Sequence, residues 1–281
     1  MANGLLQNIF YGNELDDDAL ILSWPALAFP ELNESERSRL LAGVKCFFSD
    51  VKPGVFGGPI TAGDATVLAA VMEYVRPVQM IEIGVASGWS SSFILSYADR
   101  AGLLDDGIFL HSFDLRKEYS PEKVIGNYLY THHVELGRHW SLNTEITSET
   151  LLRRRFTPEY RTDGPIVAFV DGGHVHPWPL LDLIYLQRAL PHGSWVVLQD
   201  SQMMERWIAD CVIYDVPSPA PVRGVNLAVS HWPGSKIFGT QLAYNSAAIR
   251  LDVSDEQMRL FIQAMRRYPF ETDFDPVELL T

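Results

Sequence analysis

A doubly wound α/β fold, a mostly parallel sheet covered by helices on both faces, is what this 281-residue sequence predicts, and three observations predict it. Strand-like apolar runs alternate with helical runs through the middle of the chain, with short connections. The runs at Gln79–Ile83, Ile166–Val170 and Trp195–Leu198 are nearly continuous in apolar residues, as strands covered on both faces require. The turn after the first of them is glycine-rich and leads straight into a helical segment.

The elements follow in order. Residues 1–60 read as a helical cap or extension. Within it, Asn33–Phe48 (NESERSRLLAGVKCFF) has a capping Asn or Ser, early acids and apolar residues at helical spacing. Val51–Ile60 holds three glycines and two prolines in ten residues and reads as a loop. The main domain is expected over residues 61–251. It opens with a helix over Gly63–Pro77, ended by the proline. Its strands are Gln79–Ile83, Ile108–Phe113, Ile166–Val170 and Trp195–Leu198, with helices at Ser90–Arg100 and Pro179–Leu190 between them. Gly234–Leu251 reads as one or two further strands, antiparallel at the sheet edge. Residues 252–281 are a C-terminal helix and tail packed on the domain, with a capping Ser254 and basic residues near Tyr268.

Composition sets the outer limits. With 47% hydrophobic and 20% charged residues the chain is an ordinary globular one. Its 22 Lys and Arg face 35 Asp and Glu, a net charge of −13, which argues against a nucleic-acid partner because such binding rests on neutralising phosphates. The basic cluster Arg153–Arg155 reads as the end of a helix. Cys46 and Cys211 are the only cysteines, too few for a disulfide framework and too far apart for a CxxC site. The N-terminus lacks a signal-peptide pattern, and no apolar run approaches the roughly 18 residues of a membrane span. The expectation is a soluble, cytoplasmic protein with no membrane partner, and homo-oligomerisation is left open.

In a doubly wound sheet, ligands lie outside the carboxyl ends of the strands. The first such turn reads E-I-G-V-A-S-G, Glu82 to Gly88. Gly84 permits a tight turn and Gly88 a close backbone approach to a ligand as the next helix begins. Ala86 stands where the dinucleotide pattern G-x-G-x-x-G has its second glycine, which disfavours a pyrophosphate and an NAD-dependent oxidoreductase. Glu82 would repel a pyrophosphate but suit an ammonium group. Glu82, Gly84 and Gly88 fit the pattern acid-x-Gly-x-x-x-Gly, and the segment resembles motif I of the class I S-adenosylmethionine-dependent methyltransferases. The resemblance implies a Rossmann-like, mostly parallel seven-stranded sheet with an antiparallel edge strand. It also implies that Glu82, Gly84, Ala86, Gly88 and Ser90 bind the methionine end of S-adenosylmethionine, with Glu82 held by loop amides. The plainer alternative is a structural glycine turn with a solvated Glu. Asp114, ending the next strand (GIFLHSFDL), can accept both ribose hydroxyls of an adenosine, or cap a turn. The RAGLLDDG stretch before it lengthens the spacing from Gly88 beyond the usual value.

A second constellation lies downstream. Gly164–Ser201 reads as strand, Asp-Gly-Gly-His, helix, Pro-His-Gly turn, strand, Asp. It is similar to the small-molecule O-methyltransferase branch, in which an Asp-Gly-x-His segment ends the fourth strand and an Asp the fifth. The resemblance implies a divalent cation, usually magnesium, at Asp171 and Asp200, with Asp171 also in the cofactor-binding set. Asp171 and His174 are the catalytic candidates, His174 as general base. Independently of the family, both acids end apolar strands and so share one sheet edge, and Mg²⁺ takes one or two carboxylates plus waters and substrate oxygens. The alternative is that both acids cap loops or touch substrate directly. Gln199 and Ser201 flank Asp200 where relatives have a Glu before it or an Asn after it, which weakens the ligand set. A transition-metal pair at His174 and His176 lacks third and fourth ligands nearby.

The aromatic, His-rich insert from Arg116 to Trp140 is a place for an acceptor cover. His132 and His133 read as surface residues, and Tyr119, Tyr128 and Tyr130 as pocket lining or packing. The expected activity is methyl transfer to a hydroxyl of a small-molecule acceptor: a natural product, sugar or phenol. The same fold with altered chemistry is the first alternative.

Overall fold

The computed structural model describes residues 18–50, 60–120, 123–148, 150–151, 161, 163–201, 224–238 and 245–269. Three helices precede the sheet: α1 (Asp18–Ala28), α2 (Glu34–Asp50) and α3 (Ala62–Val75). Reciprocal capping explains two of their starts. Asn33 and Glu36 exchange backbone and side-chain hydrogen bonds at the head of α2, at 2.8 and 3.0 Å. Thr61 and Asp64 do the same for α3 at 3.1 Å each. α3 stops at Arg76, which turns left-handed (φ 52°) just before Pro77. Most of the expected loop at 51–60 lies outside the described residues, as do Arg153–Arg155 and Cys211.

The chain then builds β1 (Gln79–Ile83), α4 (Trp89–Arg100), β2 (Leu110–Asp114) and a short hairpin of β3 (Glu118–Ser120) and β4 (Lys123–Val124). After α5 (Asn127–His132) and a 3-10 turn (Val134–His139) come β5 (Trp140–Thr144), β6 (Ile166–Val170), α6 (Trp178–Ala189) and β7 (Trp195–Gln199). α7 (Gly224–His231), β8 (Lys236–Phe238), β9 (Ser246–Arg250) and α8 (Asp255–Met265) complete the described elements. The seven-stranded sheet runs β5-β2-β1-β6-β7-β9-β8. β5, β2, β1, β6 and β7 pair in parallel, while β9 is antiparallel to both β7 and β8. This is the doubly wound, mostly parallel architecture with an antiparallel edge, of Rossmann-like form.

Alternation along the strands divides the core. Met80, Val167, Phe169 and Val197 face one layer, filled by α1 to α5, whose core includes Trp24, Leu40, Leu68 and Phe93. Ile81, Ile83, Ala168, Val170 and Val196 face the other, filled by α6, α7 and α8 through Leu183, Val229 and Phe261. With period-two side chains, that two-sided burial is what makes the strands read as unbroken apolar runs. Trp24 Nε1 donates to the Phe238 carbonyl at 2.8 Å, tying α1 to the far edge strand.

β1 lies between β2 and β6, so the chain leaves it in opposite directions on its two sides. That switch point opens a crevice at the carboxyl ends of β1, β2 and β6.

Candidate functional site

The glycine turn after β1 is tight because two strand ends meet there. Gly84 has φ +89°, and a Cβ on it would stand 2.1 Å from the Asp171 carbonyl oxygen. Only glycine fits. Ala86 is left-handed too (φ 46°), a conformation that costs a residue with a Cβ about 1–2 kcal/mol. The strain aims two amides: Val85 N and Ala86 N donate to Asp114 Oδ2 at 2.9 and 3.1 Å. Arg116 N donates to Asp114 Oδ1 at 2.8 Å. Three of the roughly four acceptor positions of this carboxylate are therefore occupied by backbone. One remains, at Oδ1.

Gly88 is left-handed at φ +85°, and a Cβ on it would come 2.8 Å from the Cα of Gly126, on the chain leading into α5. Gly126 N donates to the Ala86 carbonyl at 2.9 Å and fixes that approach.

Glu82 is fully buried, and its partners are hydroxyls, not the loop amides expected from the sequence. Ser90, Ser91 and Ser112 each donate to it at 2.6 Å. Trp140 Nε1 in turn donates to Ser112 Oγ at 2.7 Å. Burial raises the Glu82 carboxyl above its ordinary range, and the three hydroxyls pull it back down. Glu82, Ser90 and Gly88 thus stand behind the wall of the crevice, joining β1, β2, β5 and α4.

The crevice itself is a cavity of about 440 Å³. The glycine turn from Gly84 to Ala86 lines it, together with Asp114, Ile146, Trp178 and, on α6, Asp182. Tyr119, from the insert, also lines it. Tyr128 is buried against Trp89 (ring centroids 5.1 Å) and Tyr130 is exposed, so the insert contributes both lining and packing. His133 stacks on Phe47 at 6.1 Å. Asp182 is buried; Ser148 donates to its Oδ1, and burial pushes its carboxyl up to about 7.

At one end of the cavity the acids of β6 and β7 converge. Asp171 follows β6, its N–H donating to the Ile83 carbonyl at 2.8 Å. Asp200 follows β7 with φ 63°, a left-handed conformation that Asp tolerates better than most residues. His174 Nε2 lies 3.3 Å from Asp200 Oδ2 and 3.8 Å from Asp171 Oδ1. Burial, then the Asp200 charge, holds the Asp171 carboxyl well above the usual range, and burial lowers the His174 imidazolium below its own. Asn245, just before β9, donates to Asp200 Oδ1 and was not anticipated. Only its distance in sequence hid it: 45 residues separate the pair. His176 is completely buried beside this cluster. Among the described residues no group of three or more His, Cys, Asp or Glu is arranged to hold a metal ion.

Residues 81–201 match the family described as a methyltransferase domain. The matched span contains Glu82, Asp114, Asp171 and Asp200. No curated protein matches the chain. Solved structures with a similar course of chain include cofactor-bound Rv0187 from MTB, 13% identical over 86% of this chain and 99% of that one, with a TM-score of 0.49. The O-methyltransferase TomG from Streptomyces achromogenes, involved in tomaymycin synthesis and in complex with SAM, is 15% identical over 81% of this chain and 97% of its own, TM-score 0.48. An O-methyltransferase from Bacillus cereus in complex with SAH is 13% identical over 82% and 99%, TM-score 0.48.

Proposed function

We propose that this chain, with its methyltransferase domain over residues 81–201, transfers a methyl group from S-adenosylmethionine to a hydroxyl of a small molecule, a natural product, sugar or phenol. The observation that carries the reading is the adjacency of two features at one sheet edge. A cavity of about 440 Å³ is lined by the glycine turn, Asp114 and Asp171, and Asp171 clusters with His174 and Asp200.

The donor needs alignment and desolvation more than activation, since its methyl group is already on a sulfonium. Asp114, rigidly held by the turn, takes a ribose hydroxyl at its remaining acceptor position. The turn Gly84–Ala86 and Asp171 flank the methionine end, the carboxylates there favouring the cationic sulfonium and ammonium. His174 is the base. Its burial keeps the ring neutral near pH 7, so Nε2 can take the acceptor hydroxyl's proton, and Asp200 at 3.3 Å stabilises the imidazolium that results.

The donor chemistry of the cluster fits a hard divalent cation: two carboxylates from neighbouring strand ends, one raised by the charge of the other. Asp171 and Asp200 would hold Mg²⁺, and when bound it supplies acidification and orientation of an acceptor hydroxyl. Oxygen ligands beyond these two would come from water and substrate, since Mg²⁺ usually keeps several waters.

The test is methyl transfer from radiolabelled S-adenosylmethionine across hydroxylated acceptors, before and after exhaustive chelation, with Asp200→Ala alongside. Transfer to a hydroxyl supports the reading. Cofactor binding with no transfer to any acceptor would leave the altered-chemistry alternative standing instead.

A further inference from the structure

The second acid of the cluster, Asp200, is held from the antiparallel side of the sheet. Asn245, 4% exposed and just before β9, donates from Nδ2 to Asp200 Oδ1. Its backbone is fixed in turn: Ser201 N and Ser201 Oγ donate to the Asn245 carbonyl at 2.9 and 3.3 Å. Asn226 Nδ2, from α7, donates to the Ser201 carbonyl at 3.2 Å. The left-handed turn at Asp200 (φ 63°) is thus tied to Asn245 directly and to α7 through Ser201. Its other oxygen, Oδ2, lies 3.3 Å from His174 Nε2. The two oxygens of one carboxylate therefore have different duties. Oδ1 takes an amide hydrogen, and Oδ2 stands beside the histidine that reaches Asp171.

That division matters for a cation. Ca²⁺ gathers many oxygens in a flexible shell and often takes both oxygens of a carboxylate. Mg²⁺ is smaller, demands an octahedron, and is satisfied by single carboxylate oxygens and water. We infer that Asn245 is a positioning residue that limits Asp200 to one metal-facing oxygen, Oδ2, and so sets a preference for Mg²⁺ over Ca²⁺. Turning Asp200 to offer both oxygens would break its hydrogen bond to a buried amide, which is unfavourable. Groups behind a metal ligand commonly orient it in this way. The inference rests on the magnesium reading of Asp171 and Asp200, and adds to it the residue that decides which cation suits them.

Manganese binding followed by electron paramagnetic resonance tests this, with Mg²⁺ and Ca²⁺ as competitors, in the presence and absence of S-adenosylhomocysteine. Wild type is compared with Asn245→Leu and Asn245→Ala. The leucine keeps the buried volume, and both variants keep the carbonyl that Ser201 uses. In wild type, Mg²⁺ should displace Mn²⁺ at a concentration at least about threefold below that needed with Ca²⁺. In the variants Asp200 is free to turn, and this ratio should move toward Ca²⁺ by at least about threefold, with circular dichroism unchanged. General loosening of the fold would weaken every cation together, so the ratio separates positioning from a merely structural role. Wild type lacking the preference for Mg²⁺ would overturn the inference without any variant having to fold, as would the wild-type ratio in folded variants. Absence of Mn²⁺ binding by wild type would overturn the magnesium reading and this inference with it. Labelled methyl transfer would still report separately on the methyltransferase reading.

Discussion

Two buried acids, one in a strand and one in a helix, have opposite surroundings. Glu82, in β1, receives three hydroxyl hydrogens at 2.6 Å each and is sealed from solvent. Asp182, across the cavity, receives one, and its second oxygen receives none. At Asp171, burial first and then the like charge of Asp200 raise the carboxyl. A carboxylate whose acceptor positions are filled by its own protein is a structural member, and its removal should be felt as lost stability. A buried carboxylate left short of partners is unfavourable when ionised, and its removal should be felt in the pH dependence of stability.

The contrast can be broken in several ways. The largest effect should come from Gly84→Ala, where the added Cβ meets the Asp171 carbonyl at 2.1 Å on a left-handed backbone. Such a clash between backbones should cost more than about 4 kcal/mol, read as failure to recover folded protein or as a large fall in the urea midpoint. Glu82→Ala leaves three buried hydroxyls without their acceptor and should cost about 3–5 kcal/mol by urea denaturation. Whatever protein remains folded should bind S-adenosylhomocysteine nearly as well as wild type. Unchanged stability with lost binding would instead make Glu82 a cofactor ligand.

Asp182 should reveal itself through pH. Its carboxyl is raised from an ordinary 3.8 to about 7 by burial, so the native state prefers it protonated. Its contribution to stability is fully present below pH 3.8 and is lost as pH rises through 7, by up to about 4 kcal/mol. Asp182→Asn should flatten the stability profile between pH 4 and 7, and equal slopes in both proteins would remove Asp182 from that role. Asp114→Ala frees the Val85 and Ala86 amides and should weaken S-adenosylhomocysteine at least about tenfold, with a stability loss of only about 1–2 kcal/mol. The smallest change is expected for Ala86→Gly, where relief of a left-handed alanine offsets added chain entropy, leaving stability within about 1 kcal/mol of wild type.

Much of the frame was legible in the residues. β1 and β6 have the limits expected of them, because strands buried on both faces are written as apolar runs with sharp ends. The acids Asp114, Asp171 and Asp200 were legible for the same reason: each interrupts or follows such a run at its carboxyl end. β5 was not. Its residues, Trp-Ser-Leu-Asn-Thr, alternate as an edge strand does, and five residues of weak alternation do not stand out beside an aromatic insert. α1 lies within the helical extension expected over residues 1–60, but its own limits do not stand out in the sequence, since Pro25 lies inside it. The partners of the acids were also hidden, since they depend on residues brought together by the fold. Ser112 lies 30 residues from Glu82, and Ser148 lies 34 from Asp182. The serines at 90 and 91 did stand in view, eight and nine residues after Glu82, but one helical turn of serines announces a helix start as readily as a set of donors.

The most direct measurement is calorimetric titration of the purified protein with S-adenosylhomocysteine, the demethylated product. Micromolar binding by wild type, lost in Asp114→Ala, is the expected result and ties the cavity to an adenosyl cofactor. No detectable binding by well-folded wild-type protein would contradict it.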